Sequence, residues 1–115
     1  MPPPSDQPTA LVVGGTGPTG PSIVRGLEDR GLQVTLFHTG RHELDEVGHV
    51  EHLHGDPFSP EGIADTLGDR TFDVVVACYG RLRALAEHLS GRCGRFVSVG
   101  GVPAYRGYFD PTRFE

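Results

Sequence analysis

The sequence predicts an α/β fold: a doubly wound parallel sheet of about five strands in the order 3-2-1-4-5, with helices on both faces. Three observations carry this expectation. Short apolar runs alternate with helical patterns along most of the chain. No two strand-like runs are joined by a two-residue hairpin turn, so the connections are crossovers and the strands run parallel. The first apolar run, Leu11-Val12-Val13, ends in Gly14, Gly17 and Gly20, and helical periodicity resumes straight after them.

Each element has a local reason. Residues 10–13 form a short buried run and read as the first strand. Residues 22–30 follow as a helix, with Ile23, Val24 and Leu27 on one face, and Gly31 stops it. Residues 33–37 are rich in β formers and make the second strand. Leu44 and Val47, three apart within residues 42–48, suggest a helical turn. Residues 50–54 read as a shorter third strand, ended by Gly55-Asp56-Pro57. Ser59 is a natural N-cap with Pro60 at the first helical position, and that helix runs to Leu67 before Gly68. Residues 72–78 form a continuous apolar strand suited to a sheet covered on both sides. Residues 82–89 have helical period, and residues 95–99 form the fifth strand before Gly100-Gly101.

The glycine turn points to an anion. Gly14 permits a tight turn at positive φ. Gly17, without a Cβ, lets the backbone approach a phosphate, and Gly20 lets the helix pack against the strand. Amides at the helix start lack intrahelical partners and favour negative charge. Pro21 at the first helical position sacrifices no bond. Strand, glycine turn and helix in this order form a dinucleotide-binding βαβ unit, and the whole pattern is Rossmann-like. No lysine follows the glycines, so the turn is not a Walker A loop. The chain has no lysine at all.

Composition bounds the rest. The chain has 115 residues, enough for one domain, and a net charge of −5 with its ten arginines scattered. Nucleic-acid binding is therefore not expected. Cys78 and Cys93 lack CxxC spacing and read as reduced, buried residues. No apolar stretch suggests a membrane span and the N-terminus has no signal-peptide pattern, so a cytoplasmic protein is expected. Residues 1–9 are expected to be a disordered lead-in, and residues 10–101 the binding domain. Residues 102–115 are aromatic without period and read as the start of a further segment, or else as a tail wrapping back over the sheet. Such a chain would leave a sheet edge exposed for self-association.

The motifs resemble the short-chain dehydrogenase/reductase superfamily, most nearly its extended NAD(P)-dependent epimerase/dehydratase branch. The matching residues are Val13-Gly14-Gly15-Thr16-Gly17-Pro18-Thr19-Gly20, His52-Leu53-His54-Gly55-Asp56, Phe72-Asp73-Val74-Val75-Val76, and Arg95-Phe96-Val97-Ser98-Val99 leading to Val102-Pro103-Ala104-Tyr105. The resemblance spans residues 10 to 107, but only the N-terminal part of a typical member. It implies that Gly14, Thr16, Gly17, Pro18, Thr19 and Gly20 bind the cofactor diphosphate. Asp56 would meet the adenine amino group, with Pro57 beside the ring; the alternative for Asp56 is a plain Asx turn. Ala77, Cys78 and Tyr79 would line the nicotinamide side of the crevice.

Departures matter too. Val13 replaces the family's usual Thr, and Gly100-Gly101 stand where the family has a Ser pair. The family's Tyr-x-x-x-Lys needs an ammonium to lower the tyrosine pKa. Tyr79, Tyr105 and Tyr108 are followed four residues on by Arg83, Phe109 and Thr112. No catalytic residue is assigned, and binding of cofactor is expected rather than turnover.

The position that usually carries the ribose-binding carboxylate holds His38, followed by Thr39-Gly40-Arg41. Arg41 can form a charge-assisted pair with a 2′-phosphate, so NADP(H) is favoured over NAD(H). His38, His42, His49, His52 and His54 cluster in sequence, and His52 and His54 share a strand face. With no HExxH and no i, i+4 histidine pair, a metal site is not expected, and these are taken as solvated imidazoles on a strand near the edge. The resulting reading is the NAD(P)-binding domain of an epimerase/dehydratase-like oxidoreductase, as a short form or fragment. Its substrate, if a C-terminal part exists, would be a small molecule such as a nucleotide sugar. The alternative is a non-catalytic dinucleotide-sensing or partner-binding module.

Overall fold

The computed structural model describes residues 7–14, 20–40 and 47–99. In order these form β1 (Thr9–Val13), α1 (Gly20–Asp29), β2 (Gln33–His38), β3 (Glu51–His54), α2 (Pro60–Leu67), β4 (Phe72–Ala77), α3 (Leu82–Leu89) and β5 (Cys93–Ser98). The five strands make one sheet in the order β3-β2-β1-β4-β5, every pairing parallel, as the sequence predicts.

Element ends shift by one or two residues where pairing decides them. β1 starts at Thr9, and the preceding Pro8 carbonyl accepts from the Gln33 amide at 2.8 Å. α1 starts at Gly20, so Pro21 is its second residue; that position is still within the first turn, where its missing N–H has no partner to lose. β5 begins at Cys93 because Cys93 pairs with Phe72 at the start of β4. Of the turn expected over residues 42–48, only Val47 and Gly48 are described, and Val47 is buried.

Period-2 alternation along β1 divides the interior into two layers. Ala10 and Val12 face one side, with Val34, Leu36, Val47 and Val76, and Val24 of α1 covers them. Leu11 and Val13 face the other, with Phe37, Val75 and Ala77, under Ile63 and Leu67 of α2 and Leu85 and Leu89 of α3. The helix ends follow their sequence signals. The Ser59 hydroxyl accepts from the Gly62 amide at 3.2 Å. Gly31, at φ +86°, and Gly68, at φ +53°, end α1 and α2 in a region that side chains other than glycine avoid. Cys78 and Cys93 are free thiols, but both are half-buried rather than fully buried. Among the described residues, no helix is long and apolar enough to cross a membrane.

The two sheet edges differ. β5 exposes Val97, and Val99 just beyond it is also exposed. β3 is pinned through Glu51. Its carboxylate accepts from the Thr35 hydroxyl at 2.9 Å and from two Arg70 nitrogens at 2.8 and 3.1 Å. The short strand is thus tied to both β2 and the loop before β4.

Leu85 has no exposed surface, so Leu85→Ala should lower unfolding stability by about 2–5 kcal/mol, read from the urea midpoint. The Arg70 guanidinium holds the Glu51 carboxyl below the ordinary glutamate value, aided by Thr35 and opposed by partial burial. A lowered native value means stability that is present above the ordinary glutamate range and lost as pH falls through the native value. Both side chains are 42–50% exposed, so the contribution should stay under about 1 kcal/mol. Arg70→Ala should flatten the acid limb of a stability–pH curve; an unchanged limb would rule this out.

Candidate dinucleotide site

In a doubly wound sheet the crevice lies where strand order reverses, here outside the carboxyl ends of β1 and β4. Gly14 stands at that point. Its φ is +107°, and its amide donates to the Phe37 carbonyl at 2.9 Å. A Cβ at Gly14 would come within 3.2 Å of the Cys78 Cβ and 3.3 Å of the Tyr79 ring. Beside it the Cys78 amide donates to the Val13 carbonyl at 2.9 Å, so the chain leaving β4 stays laced to β1. Gly14, Cys78 and Tyr79 therefore meet at one place, while Ala77 is buried beneath them. Burial raises the Cys78 thiol pKa, which keeps it protonated at neutral pH.

Across the crevice, α1 opens with Gly20 and Pro21, both buried, and its first turn carries no acidic residue. No carboxylate in that first turn opposes an anion at the helix start. Thr16, Gly17, Pro18 and Thr19 lie outside the described residues, as does Arg41.

The loop after β3 joins the loop after β4. Asp56 is exposed, and its Oδ1 accepts from the Phe58 amide at 2.9 Å, which is the Asx turn weighed above. Pro57 is buried, and its carbonyl accepts from the Arg81 amide at 2.9 Å. Gly80 has φ +106°, and a Cβ there would come within 3.0 Å of Leu85 and 3.1 Å of the Pro57 carbonyl. Phe58 is 52% exposed and meets Tyr79 edge to face, with centroids 5.5 Å apart. Sequence reasoning passed over Phe58. The available signal was an aromatic between Asp56-Pro57 and the N-cap Ser59, on a loop that must border the end of β4.

At the end of β2 the picture differs from the expected solvated imidazoles. His38 is buried, His52 half-buried and His54 exposed. His38 accepts from the Gly40 amide through Nδ1 at 3.0 Å and meets His52 Nδ1 through Nε2 at 2.9 Å. His38 is 1% exposed, so its ring lies inside the end of the sheet and not on the surface.

No family model and no curated protein matches the sequence. Solved structures do match in shape. A short-chain dehydrogenase family protein from Francisella tularensis superposes with a TM-score of 0.67 at 13% identity, over 86% of this chain and 53% of that one. The chain shares the fold of these enzymes. A wide-type short-chain dehydrogenase/reductase from Veillonella parvula, in complex with NADP, superposes with a TM-score of 0.63 at 15% identity, over 90% of this chain and 56% of that one. An epimerase from Methanothermobacter thermautotrophicus gives 0.65 at 19% identity, over 81% and 35%. The chain thus spans about half the length of the first two structures or less of the third.

Gly14→Ala combines a disfavoured φ with a crowded Cβ. It should destabilise the fold by roughly 1–3 kcal/mol in urea unfolding, and a neutral result would show the turn to be adaptable.

Proposed function

We propose that this chain is the NAD(P)-binding domain of an epimerase/dehydratase-like oxidoreductase and that it favours NADP(H). The observation that carries the reading is the pairing of Gly14, at positive φ on the switch point, with a helix start free of carboxylates. The NADP complex of the similar Veillonella parvula protein supports it. The diphosphate would lie across Gly14, Thr16, Gly17, Pro18, Thr19 and Gly20. Asp56 and Pro57 would border the adenine, and Ala77, Cys78 and Tyr79 the nicotinamide side. Arg41, with no carboxylate at the end of β2 to oppose it, would pair with a 2′-phosphate.

The cofactor, when bound, supplies hydride chemistry at its nicotinamide, and the protein supplies binding and orientation. Without a lysine, these residues hold no Tyr-x-x-x-Lys acid–base pair. Gly100-Gly101, where the resembled family carries a Ser pair, favours a second reading, a dinucleotide-sensing or partner-binding module that binds without turnover.

NADPH at about 100 times its dissociation constant should stabilise the chain by about 2.7 kcal/mol in thermal unfolding. A fluorescence titration should show NADPH binding several-fold tighter than NADH, and Arg41→Ala should remove the difference. Absence of any stabilisation defeats the binding proposal, and equal affinities in the wild-type chain defeat the preference.

A further inference from the structure

We propose that His38, His52 and His54 form a binding site for a divalent transition-metal ion of zinc type at the corner of β2 and β3. The parallel register pairs His38 with His54 and Leu36 with His52. Alternation along the strands then sets all three imidazoles on the face that carries Leu36 and Val47. Their candidate ligand nitrogens lie within 4.8 Å of one another. Ring centroids are 5.0 Å apart for His38 and His52, and 4.8 Å for His38 and His54.

Hydrogen bonding fixes which nitrogens face inward. The Val47 carbonyl can only accept, so His52 carries its proton on Nε2, which donates to that carbonyl at 2.8 Å. His52 Nδ1 is left as a lone pair aimed at His38. A backbone carbonyl holding the far nitrogen of an imidazole is the arrangement that orients metal-bound histidines. The Gly40 amide can only donate, so His38 Nδ1 is bare and its proton sits on Nε2, in the 2.9 Å gap to His52. On metal binding that proton moves to His38 Nδ1, and the Gly40 amide gives up its bond to the ring.

The donor set selects the ion. Three imidazoles suit zinc, copper, nickel or cobalt and not magnesium or calcium. Nitrogens bonded to one zinc lie about 3.3 Å apart, so the His38–His52 pair opens slightly and the exposed His54 swings inward. The gradient from buried His38 to exposed His54 gives the ion an entry side.

The test is titration of the metal-free 115-residue chain with Co²⁺, followed by visible absorbance, and with Zn²⁺ by calorimetry. The expected result is one equivalent bound at micromolar affinity or better, tetrahedral cobalt bands that zinc abolishes, and a shifted Gly40 amide resonance. His54→Ala and His52→Ala should each weaken binding about tenfold or more. His88→Ala, on α3 across the sheet, should leave it unchanged. His54 is exposed, so its variant decides the matter even if His52→Ala fails to fold. No binding tighter than millimolar, or binding unaffected by His54→Ala, overturns the proposal. Neither readout involves a dinucleotide, so failure here is distinct from failure of the cofactor reading.

Discussion

A strand with neighbours on both edges and helices over both faces has no water to satisfy its backbone and no surface on which to place a polar side chain. β1 is under that constraint, and the rest of the molecule is arranged around it. Four of its five residues, Ala10 to Val13, have no exposed surface. Their amides and carbonyls are taken up by β2 on one side and β4 on the other. The two apolar layers of the domain are the two sides of this strand. Where β1 ends, the chain must leave between the ends of β2 and β4, and Gly14 makes that exit.

The crevice is a consequence of that exit. Gly14 closes against Cys78 and Tyr79, so the ends of β1 and β4 meet with no room for a side chain between them. The loop after β3 is drawn in by the bond from Arg81 to Pro57 and by the contact of Phe58 with Tyr79. The ends of β1 and β4 and the loop after β3 thus come together at one place. There exposed Phe58 meets half-buried Tyr79 edge to face.

The β2–β3 corner follows a different logic. Polar rings are admitted at the end of a buried layer because their nitrogens are satisfied in series: Gly40 to His38, His38 to His52, His52 to Val47. Burying an imidazole without such partners would be unfavourable. The chain of bonds also explains why the short edge strand holds its register, together with Glu51 at its other end.

Strand order, parallel pairing, the turn at Gly14 and the caps at Ser59, Gly31 and Gly68 were legible in the sequence. Each rests on local physics: apolar period, glycine conformation, or a hydroxyl near a helix start. The ends of β1 and β5 were not, because a strand end is set by its partner's register and not by its own residues. The same reason separates the readings of the site. Gly14, Cys78 and Tyr79 were named from motif position, but their convergence is a contact between segments more than sixty residues apart. Phe58 was missed because its partner is on another loop. His52 and His54 were seen to share a face; that His38 completes the group, buried rather than solvated, was decided only by the pairing of β2 with β3, which no spacing along one chain encodes.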